Sequence, residues 1–171
     1  CFLLSLIQQK TVNLVSISQG FASAAQAESS YRRIQRFFEG YRFQRAMFSV
    51  MIIALLPEPP YTVCLDRTNW QFGKFNINVL VPSIAHKGIA FTIVWMLLAK
   101  KGNSNTAERR RLLNRFLNLI PASAIAMLVA DREFIGQQWF KCLNSHHIPF
   151  TIRLRQDTLA DASGKVTALF M

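Results

Sequence analysis

The chain has 171 residues, of which 51% are hydrophobic, and it carries a formal net charge of +11. This length suits one domain of ordinary size, and so high an apolar content excludes a disordered chain. The apolar runs at 46–56 and 89–99 are shorter than the roughly 20 residues that a helix needs to cross a bilayer, so we expect no membrane association. Three scattered cysteines without a C-x-x-C pair argue against a zinc site or a disulfide framework and favour a cytoplasmic protein.

The positive charge is concentrated in the middle of the chain. Residues 61–120 hold nine basic and two acidic side chains. Such an excess indicates either a polyanionic partner, most often nucleic acid, or simply a soluble basic surface. Charge alone leaves both interpretations open.

The first part of the chain, residues 2–56, has the pattern of helices. One helix is predicted at 26–38, where apolar residues recur at spacings of four, three and four and so share one face: Ala27, Tyr31, Ile34 and Phe38. Another is predicted at about 44–56, and because it is apolar on most sides we expect it to be largely buried. This portion either caps the next domain or binds DNA, with arginines contacting phosphates: Arg32, Arg33, Arg36, Arg42 and Arg45.

A proline-rich segment, Pro57-Glu58-Pro59-Pro60, is the clearest boundary in the chain, because successive prolines cannot continue a helix. We therefore predict a helical N-terminal portion at 1–57 and a second domain at 61–171. Because the chain begins on Cys1 and stops at Met171 within a strand-like pattern, we expect it to be a fragment of a longer protein.

From residue 61 the pattern changes to short strands. They are predicted at 61–66, 75–84 and 89–98, joined by short loops as an antiparallel meander. Asn105 and Glu108 then have the spacing of a capping box, which predicts that a helix begins there.

The rest of the chain alternates strands with a helix. The unbroken apolar run at 124–131 suits a strand paired in parallel after a helical crossover. A helix at 134–144 and a strand at 149–155 are predicted to follow. The order β-β-β-α-β-α-β is that of an α/β protein with a ribonuclease-H-like mixed sheet.

Two carboxylates end predicted strands. Asp66 follows Tyr61–Leu65, Asp131 follows the apolar run that ends at Ala130, and each is followed by an arginine. Strands disfavour aspartate because its short side chain competes for backbone hydrogen bonds. In the predicted fold the first strand is central and the fourth lies beside it, so the two acids would meet at one edge.

Paired carboxylates of this kind suit a divalent metal. Magnesium prefers hard oxygen ligands, and two such ions about 3.5–4 Å apart activate water and offset the charge on the leaving oxygen in phosphodiester cleavage. Alternatively, each aspartate pairs with a nearby arginine or caps a strand end. Arg67 and Arg132 are predicted to have a structural role rather than to contact phosphate, and Trp70 is predicted to be a packing residue.

Several long motifs resemble DDE transposases of bacterial insertion sequences. The segment L-D-R-T-N-W-Q-F-G-K-F-N-I-N at 65–78 is similar to the first-aspartate segment of that family, and L-V-A-D-R-E-F-I-G-Q-Q-W at 128–139 is similar to the second. K-G-N-S-N-T-A-E-R at 101–109 resembles the loop and helix start between them. T-V-N-L at 11–14 and Y-R-R-I-Q-R-F-F at 31–38 resemble the helical N-terminal part.

The resemblance implies a ribonuclease-H-like catalytic domain that uses Mg²⁺ or Mn²⁺, with Asp66 and Asp131 as metal ligands and catalytic residues. It implies that the protein cuts a strand at transposon ends and transfers it to other DNA. The partners would then be the terminal inverted repeats and target DNA, both double-stranded. The family also implies a dimer and a bacterial cytoplasmic location.

The chain departs from the family at the third carboxylate, a glutamate on a later helix. After Asp131 the only acids are Glu133, Asp157 and Asp161. The family carries an acid at the position of Glu133 apart from its catalytic glutamate, and the other two fall in what resembles the insertion before that helix. The resemblance therefore implies an N-terminal transposase fragment, incomplete at its C-terminus, with little or no strand-transfer activity alone.

The densest basic cluster flanks the predicted helix start and comprises Lys100, Lys101, Arg109, Arg110 and Arg111. It is either a solvated helix start or a contact with the DNA backbone. Two other functions are consistent with the sequence: a non-catalytic basic DNA-binding protein that does not use the acids, and an unrelated metal-dependent α/β nuclease.

Overall fold

The computed structural model describes residues 2–42, 44–72 and 74–154. It divides the chain into two compact units, Cys1–Gln44 and Arg45–Met171. The boundary predicted from the sequence, at the proline-rich segment 57–60, lies closer to the C-terminus.

The first unit is helical. Its helices are α1 (Phe2–Gln9), α2 (Leu14–Gln19) and α3 (Ala27–Gly40), and α3 confirms the helix predicted at 26–38. Asn13 caps α2, since its side chain accepts hydrogen bonds from the N–H groups of the first turn. Buried Ile17 and Ile34 form the apolar centre of the unit.

The second unit begins with α4 (Arg45–Ile53). The Ser49 hydroxyl donates a hydrogen bond of 2.8 Å to the backbone carbonyl of Ile93, and the Phe48 ring meets the Trp95 ring edge-on. These contacts join α4 to the sheet domain, which explains why the division falls before this helix. The expectation that this helix is largely buried is wrong, because only one stripe faces the sheet and Met47, for example, is 63% exposed.

From residue 61 to residue 154, the described part of this unit contains a six-stranded mixed sheet and two α-helices. Its elements are β1 (Tyr61–Phe72), β2 (Phe75–His86), β3 (Ile89–Thr92), β4 (Met96–Leu97), α5 (Thr106–Leu117), β5 (Ile125–Ala130), α6 (Gln137–Ser145) and β6 (Phe150–Ile152). The strand order is β3-β2-β1-β5-β6, with β4 paired to β2. The first three strands are antiparallel, whereas β5 is parallel to β1 and to β6. This arrangement confirms the ribonuclease-H-like fold.

Two strand boundaries differ from the prediction. β1 runs past Asp66 to Phe72, because its polar residues pair one by one with β2 up to the pair of Phe72 with Phe75. The predicted strand at 89–98 is split into β3 and β4. The last residue of the predicted strand at 149–155, like Asp157 and Asp161, lies outside the described residues.

The hydrophobic core covers one face of the sheet. Val63 and Leu65 on β1 are buried in the same cluster as Leu112 and Phe116 on α5. We call this side the core face. Because successive strand residues point to opposite faces, Cys64 and Asp66, like Val129 on β5, project to the other side, which we call the front face.

The predicted capping box at the start of α5 is confirmed. The Asn105 side chain accepts a hydrogen bond of 2.9 Å from the Glu108 N–H, and the Glu108 carboxylate accepts one of 2.7 Å from the Asn105 N–H. Two of the orphan N–H groups at the helix start are thereby satisfied. Among the described helices, none combines the length and the apolar content needed to cross a bilayer.

Candidate metal and nucleic-acid site

The structure places Asp66 and Asp131 next to each other on the sheet. Leu65 and Ala130 are the last register partners of parallel strands β1 and β5, and each aspartate is the residue that follows. Neighbouring strands lie about 4.8 Å apart, and register partners share a face. Both aspartates are exposed. The two carboxylates therefore occupy adjacent positions on the front face, where the fold brings them together from opposite halves of the unit.

Each carboxylate is oriented by its own backbone. Oδ1 of Asp66 accepts a hydrogen bond of 2.7 Å from the N–H of Arg67, and Oδ1 of Asp131 accepts one of 2.7 Å from the N–H of Arg132. Asp131 also caps the short 3₁₀ turn Arg132–Phe134. One oxygen of each side chain is thus held, and a second oxygen is left to bind a cation. Two exposed carboxylates side by side fit the oxygen donors that magnesium prefers.

The donor set is limited to these two acids in the part of the chain that the structure describes. No group of three or more His, Cys, Asp or Glu side chains that could hold a metal ion occurs there. Glu133 is two residues from Asp131 in sequence, but its carboxylate pairs with Arg67 on the core face.

Arg67 pairs with Glu133 behind the two aspartates. Its Nε lies 2.8 Å from Oε1 and its Nη2 lies 2.7 Å from Oε2, a fork-to-fork geometry. The two side chains are only 9% and 18% exposed. The hydrogen bonds to Glu133 raise the pKa of Arg67. The predicted structural role of Arg67 is therefore confirmed, with Glu133 as its partner, whereas Arg132 is exposed.

The remaining donors of Arg67 reach three asparagines. Nη1 lies 2.6 Å from Oδ1 of Asn69 and 3.4 Å from Oδ1 of Asn78, and Nη2 lies 3.1 Å from Oδ1 of Asn103. Asn78 is buried and donates to the backbone carbonyls of Lys100 at 3.0 Å and Gly102 at 2.9 Å. The loop at 100–103 is therefore attached to the middle of β1 by Arg67 and to β2 by Asn78.

Sequence reasoning missed the role of Asn78. Its signal was an asparagine in the alternating pattern of F-N-I-N-V-L-V, at a position where the strand faces inward. A buried carboxamide must find partners, and these are the loop carbonyls and Arg67.

Arg109 on α5 is buried rather than available to a ligand, at 5% exposure. Its guanidinium donates to the Ser104 hydroxyl at 2.9 Å, the Ser104 carbonyl at 2.7 Å and the Glu133 carbonyl at 2.8 Å. It also lies 5.0 Å from the centre of the Phe134 ring. Burial lowers the pKa of Arg109, although the charges of Glu133 and Glu108 raise it. Arg109 therefore ties α5 to the turn after β5, and we leave it out of the DNA-contacting surface.

The other members of the basic cluster are accessible to different degrees. Lys101, Arg110 and Arg111 are exposed, whereas the Lys100 ammonium pairs with Glu108 at 2.8 Å. In the first unit, the three candidate arginines of α3 are exposed: Arg32, Arg33 and Arg36. Their contact with DNA stays a prediction.

A cleft of about 350 Å³ lies along the second half of β1. Its walls are residues 69–71 of β1, residues 76–78 of β2 and the loop residues 100–102. Trp70 was predicted to be a packing residue, and this prediction is wrong because its side chain is 63% exposed.

No protein-family model matches the chain, and no curated protein matches it. Among solved structures, it is similar to the HTLV-2 integrase catalytic core domain in complex with magnesium. The dimeric form is 16% identical over 55% of this chain and 61% of that chain, with a TM-score of 0.42. The trimeric form is 15% identical over 56% and 60%, with a TM-score of 0.43.

A simian T-cell lymphotropic virus intasome in complex with PP2A regulatory subunit B56 gamma is also similar. It is 11% identical over 56% of this chain and 32% of that chain, with a TM-score of 0.44. The chain thus covers less than two thirds of each of these proteins. The ribonuclease-H-like fold itself follows from the strand order and pairing described above.

Proposed function

We propose that this chain is part of a metal-dependent DNA transposase of the DDE type found in bacterial insertion sequences. The observation that carries the proposal is the adjacency of Asp66 and Asp131 on parallel strands, with Arg67 held by Glu133 on the opposite face. Asp66 and Asp131 would be metal ligands for Mg²⁺ or Mn²⁺. The motif resemblance at 65–78 and 128–139 supports transposition rather than another nuclease activity.

In this proposal the chain's own residues do two things. Asp66 and Asp131 present negative charge on one side of the sheet, each oriented by the N–H of the next residue. These two carboxylates would hold a divalent metal, whose chemistry when bound would be to activate a water and to offset the charge on the leaving oxygen. The exposed side chains of Lys101, Arg110 and Arg111 attract the phosphate backbone.

The finer parts of the proposal concern the whole protein. Its partners are double-stranded terminal inverted repeats and target DNA, it works as a dimer on paired ends, and it resides in the bacterial cytoplasm. Strand transfer needs a third carboxylate besides Asp66 and Asp131, so we propose that this chain alone has little or no such activity.

Metal binding by the chain itself is the first test. Titration with Mn²⁺, followed by the electron paramagnetic resonance signal of the free ion, should show saturable binding. Asp66→Asn and Asp131→Asn should each weaken it about tenfold or more, because each removes a charged ligand. Glu58→Gln is the matched control, since Glu58 is an exposed acid of the same unit. Equal binding by all four proteins would contradict the assignment.

Activity is the second test. In a chain extended to include a third carboxylate, cleavage of inverted-repeat DNA should require Mg²⁺ and should be lost in Asp66→Asn and Asp131→Asn. Cleavage that survives both substitutions would rule out these catalytic residues. A protein that binds DNA with the same affinity in all variants and never cleaves would instead be the non-catalytic DNA-binding protein.

A further inference from the structure

The β1–β2 hairpin extends beyond the rest of the sheet. β1 pairs with β5 only as far as Leu65, and β2 pairs with β3 and β4 only from Val79 onward. Residues 70–72 and 75–77 therefore have strand partners only in each other within the described chain. We call these two segments the ribbon.

One face of the ribbon carries free carboxamides. Gln71 and Asn76 are register partners, so their side chains lie side by side, and both are exposed. Among the described residues, no hydrogen bond reaches either of these two side chains. Each offers one acceptor and two donors in a plane. Asn69 lies next on the same face, but Arg67 already occupies its oxygen.

Basic residues stand next to these carboxamides. Lys100 and Lys101 line the same cleft as Gln71 and Asn76. The two hydrogen bonds from Asn78 to the carbonyls of Lys100 and Gly102 fix the loop that bears them. The Lys100 ammonium pairs with Glu108, so the exposed Lys101 is the cation that this surface offers to a polyanion.

We propose that the ribbon enters the major groove of double-stranded DNA and that Gln71 and Asn76 read base edges there. The major groove is about 12 Å wide and admits a two-stranded β-ribbon, and asparagine or glutamine forms paired hydrogen bonds with adenine. Lys101 contacts the flanking phosphates. The inference rests on the proposed function, because it takes DNA as the partner.

Selection of bound duplexes from a random-sequence library tests this without metal or cleavage. The full chain is incubated with the library in EDTA, and the bound DNA is sequenced. The wild type should enrich adenine at one or two neighbouring positions. Gln71→Ala/Asn76→Ala should lose about tenfold of that discrimination while keeping its affinity for random duplexes within about threefold. Lys101→Ala should weaken all sequences equally and lower the salt slope by about one.

A matched control removes exposed carboxamides elsewhere in the same unit. Asn114→Ala/Gln138→Ala should keep the wild-type base preference, since both residues are exposed on helices away from the ribbon. Thermal melting of all variants checks that each is folded.

Four outcomes would overturn the inference. Binding of random DNA without any base preference would contradict the ribbon's role and leave the proposed function intact. A base preference that persists in Gln71→Ala/Asn76→Ala would also contradict the ribbon's role without affecting the proposed function. If light scattering showed a dimer in the wild type and a monomer in that variant, the ribbon would instead contact a second copy of the chain. Failure to bind any duplex would count against both the inference and the proposed DNA partner.

Discussion

The two faces of the sheet differ sharply where the middle of β1 lies beside the end of β5. On the core face, Arg67 and Glu133 form a nearly buried ion pair, and Arg109 bonds to the backbone beside them. On the front face, Asp66 and Asp131 are exposed, and no ion pair reaches either one from the described residues. Arg67, which follows Asp66 in sequence, pairs with Glu133 instead.

Strand alternation explains the difference. Arg67 follows Asp66 directly, so the two side chains point to opposite faces, and the guanidinium is bound behind the sheet. The two front-face carboxylates keep oxygens that a divalent cation can bind. Rigidity and ligand chemistry are thus separated onto the two faces of the same strands.

The largest effect is expected from breaking the ion pair. Arg67→Met keeps the length of the side chain but leaves Glu133 nearly buried without its partner, which should lower the free energy of unfolding by about 3 kcal/mol. Mn²⁺ affinity should fall about tenfold, because residues that hold metal ligands in position affect the affinity for the metal. Urea denaturation and the Mn²⁺ titration measure the two quantities.

The double variant Arg67→Met/Glu133→Met separates the effect on stability from the effect on Mn²⁺ affinity. It should recover stability, since no unpaired charge remains, but it should not recover metal affinity, because the bond between the strand ends is gone. Full recovery of both would mean that the ion pair does not position the aspartates.

A smaller effect is expected at Arg109. Arg109→Met should cost about 2 kcal/mol of unfolding free energy, because the Ser104 and Glu133 carbonyls lose their donor. Affinity for DNA should stay unchanged at this buried site. Arg110→Ala is the control, since Arg110 is exposed and its loss should weaken DNA binding with little effect on stability. The reverse pattern would place Arg109 on the DNA-contacting surface.

The smallest effect is a pH dependence at the start of α5. Partial burial raises the pKa of Glu108. The hydrogen bonds from Lys100 and from the Asn105 N–H lower this pKa by a larger amount, so the net shift is downward. A lowered folded pKa contributes stability above the ordinary glutamate value of about 4.3, and this is lost as the pH falls below it.

Glu108→Gln should therefore be less stable than the wild type at pH 7, and its stability should fall less steeply between about pH 4.5 and pH 3. Thermal melting across this range measures both slopes. Parallel curves for the two proteins would mean that Glu108 contributes no pH-linked stability.

Local signals in the sequence predicted the fold well. The capping box of Asn105 and Glu108 placed the start of α5, and the apolar run at 124–131 placed β5 beside β1 in parallel. The adjacency of Asp66 and Asp131 followed from that strand order. These features depend on nearby residues or on a topology with few alternatives.

Contacts between residues far apart in the sequence could not be predicted in the same way. Arg67 and Glu133 are 66 residues apart, and nothing in either motif indicates that one binds the other. β1 continues through the polar residues 67–71 only because β2 supplies a partner for each. The exposure of α4 follows from its contacting the sheet domain along one stripe only, and its apolar composition does not reveal this.

Asn78 has a mechanical consequence. Its two N–H donors are used by the Lys100 and Gly102 carbonyls, and its oxygen accepts from Arg67 at 3.4 Å. Asn103 of the same loop also accepts a hydrogen bond of 3.1 Å directly from Arg67. A ligand that displaces the loop at 100–103 would therefore strain Arg67 as well, through Asn78 and through Asn103, so a force applied at the cleft reaches the residue next to Asp66.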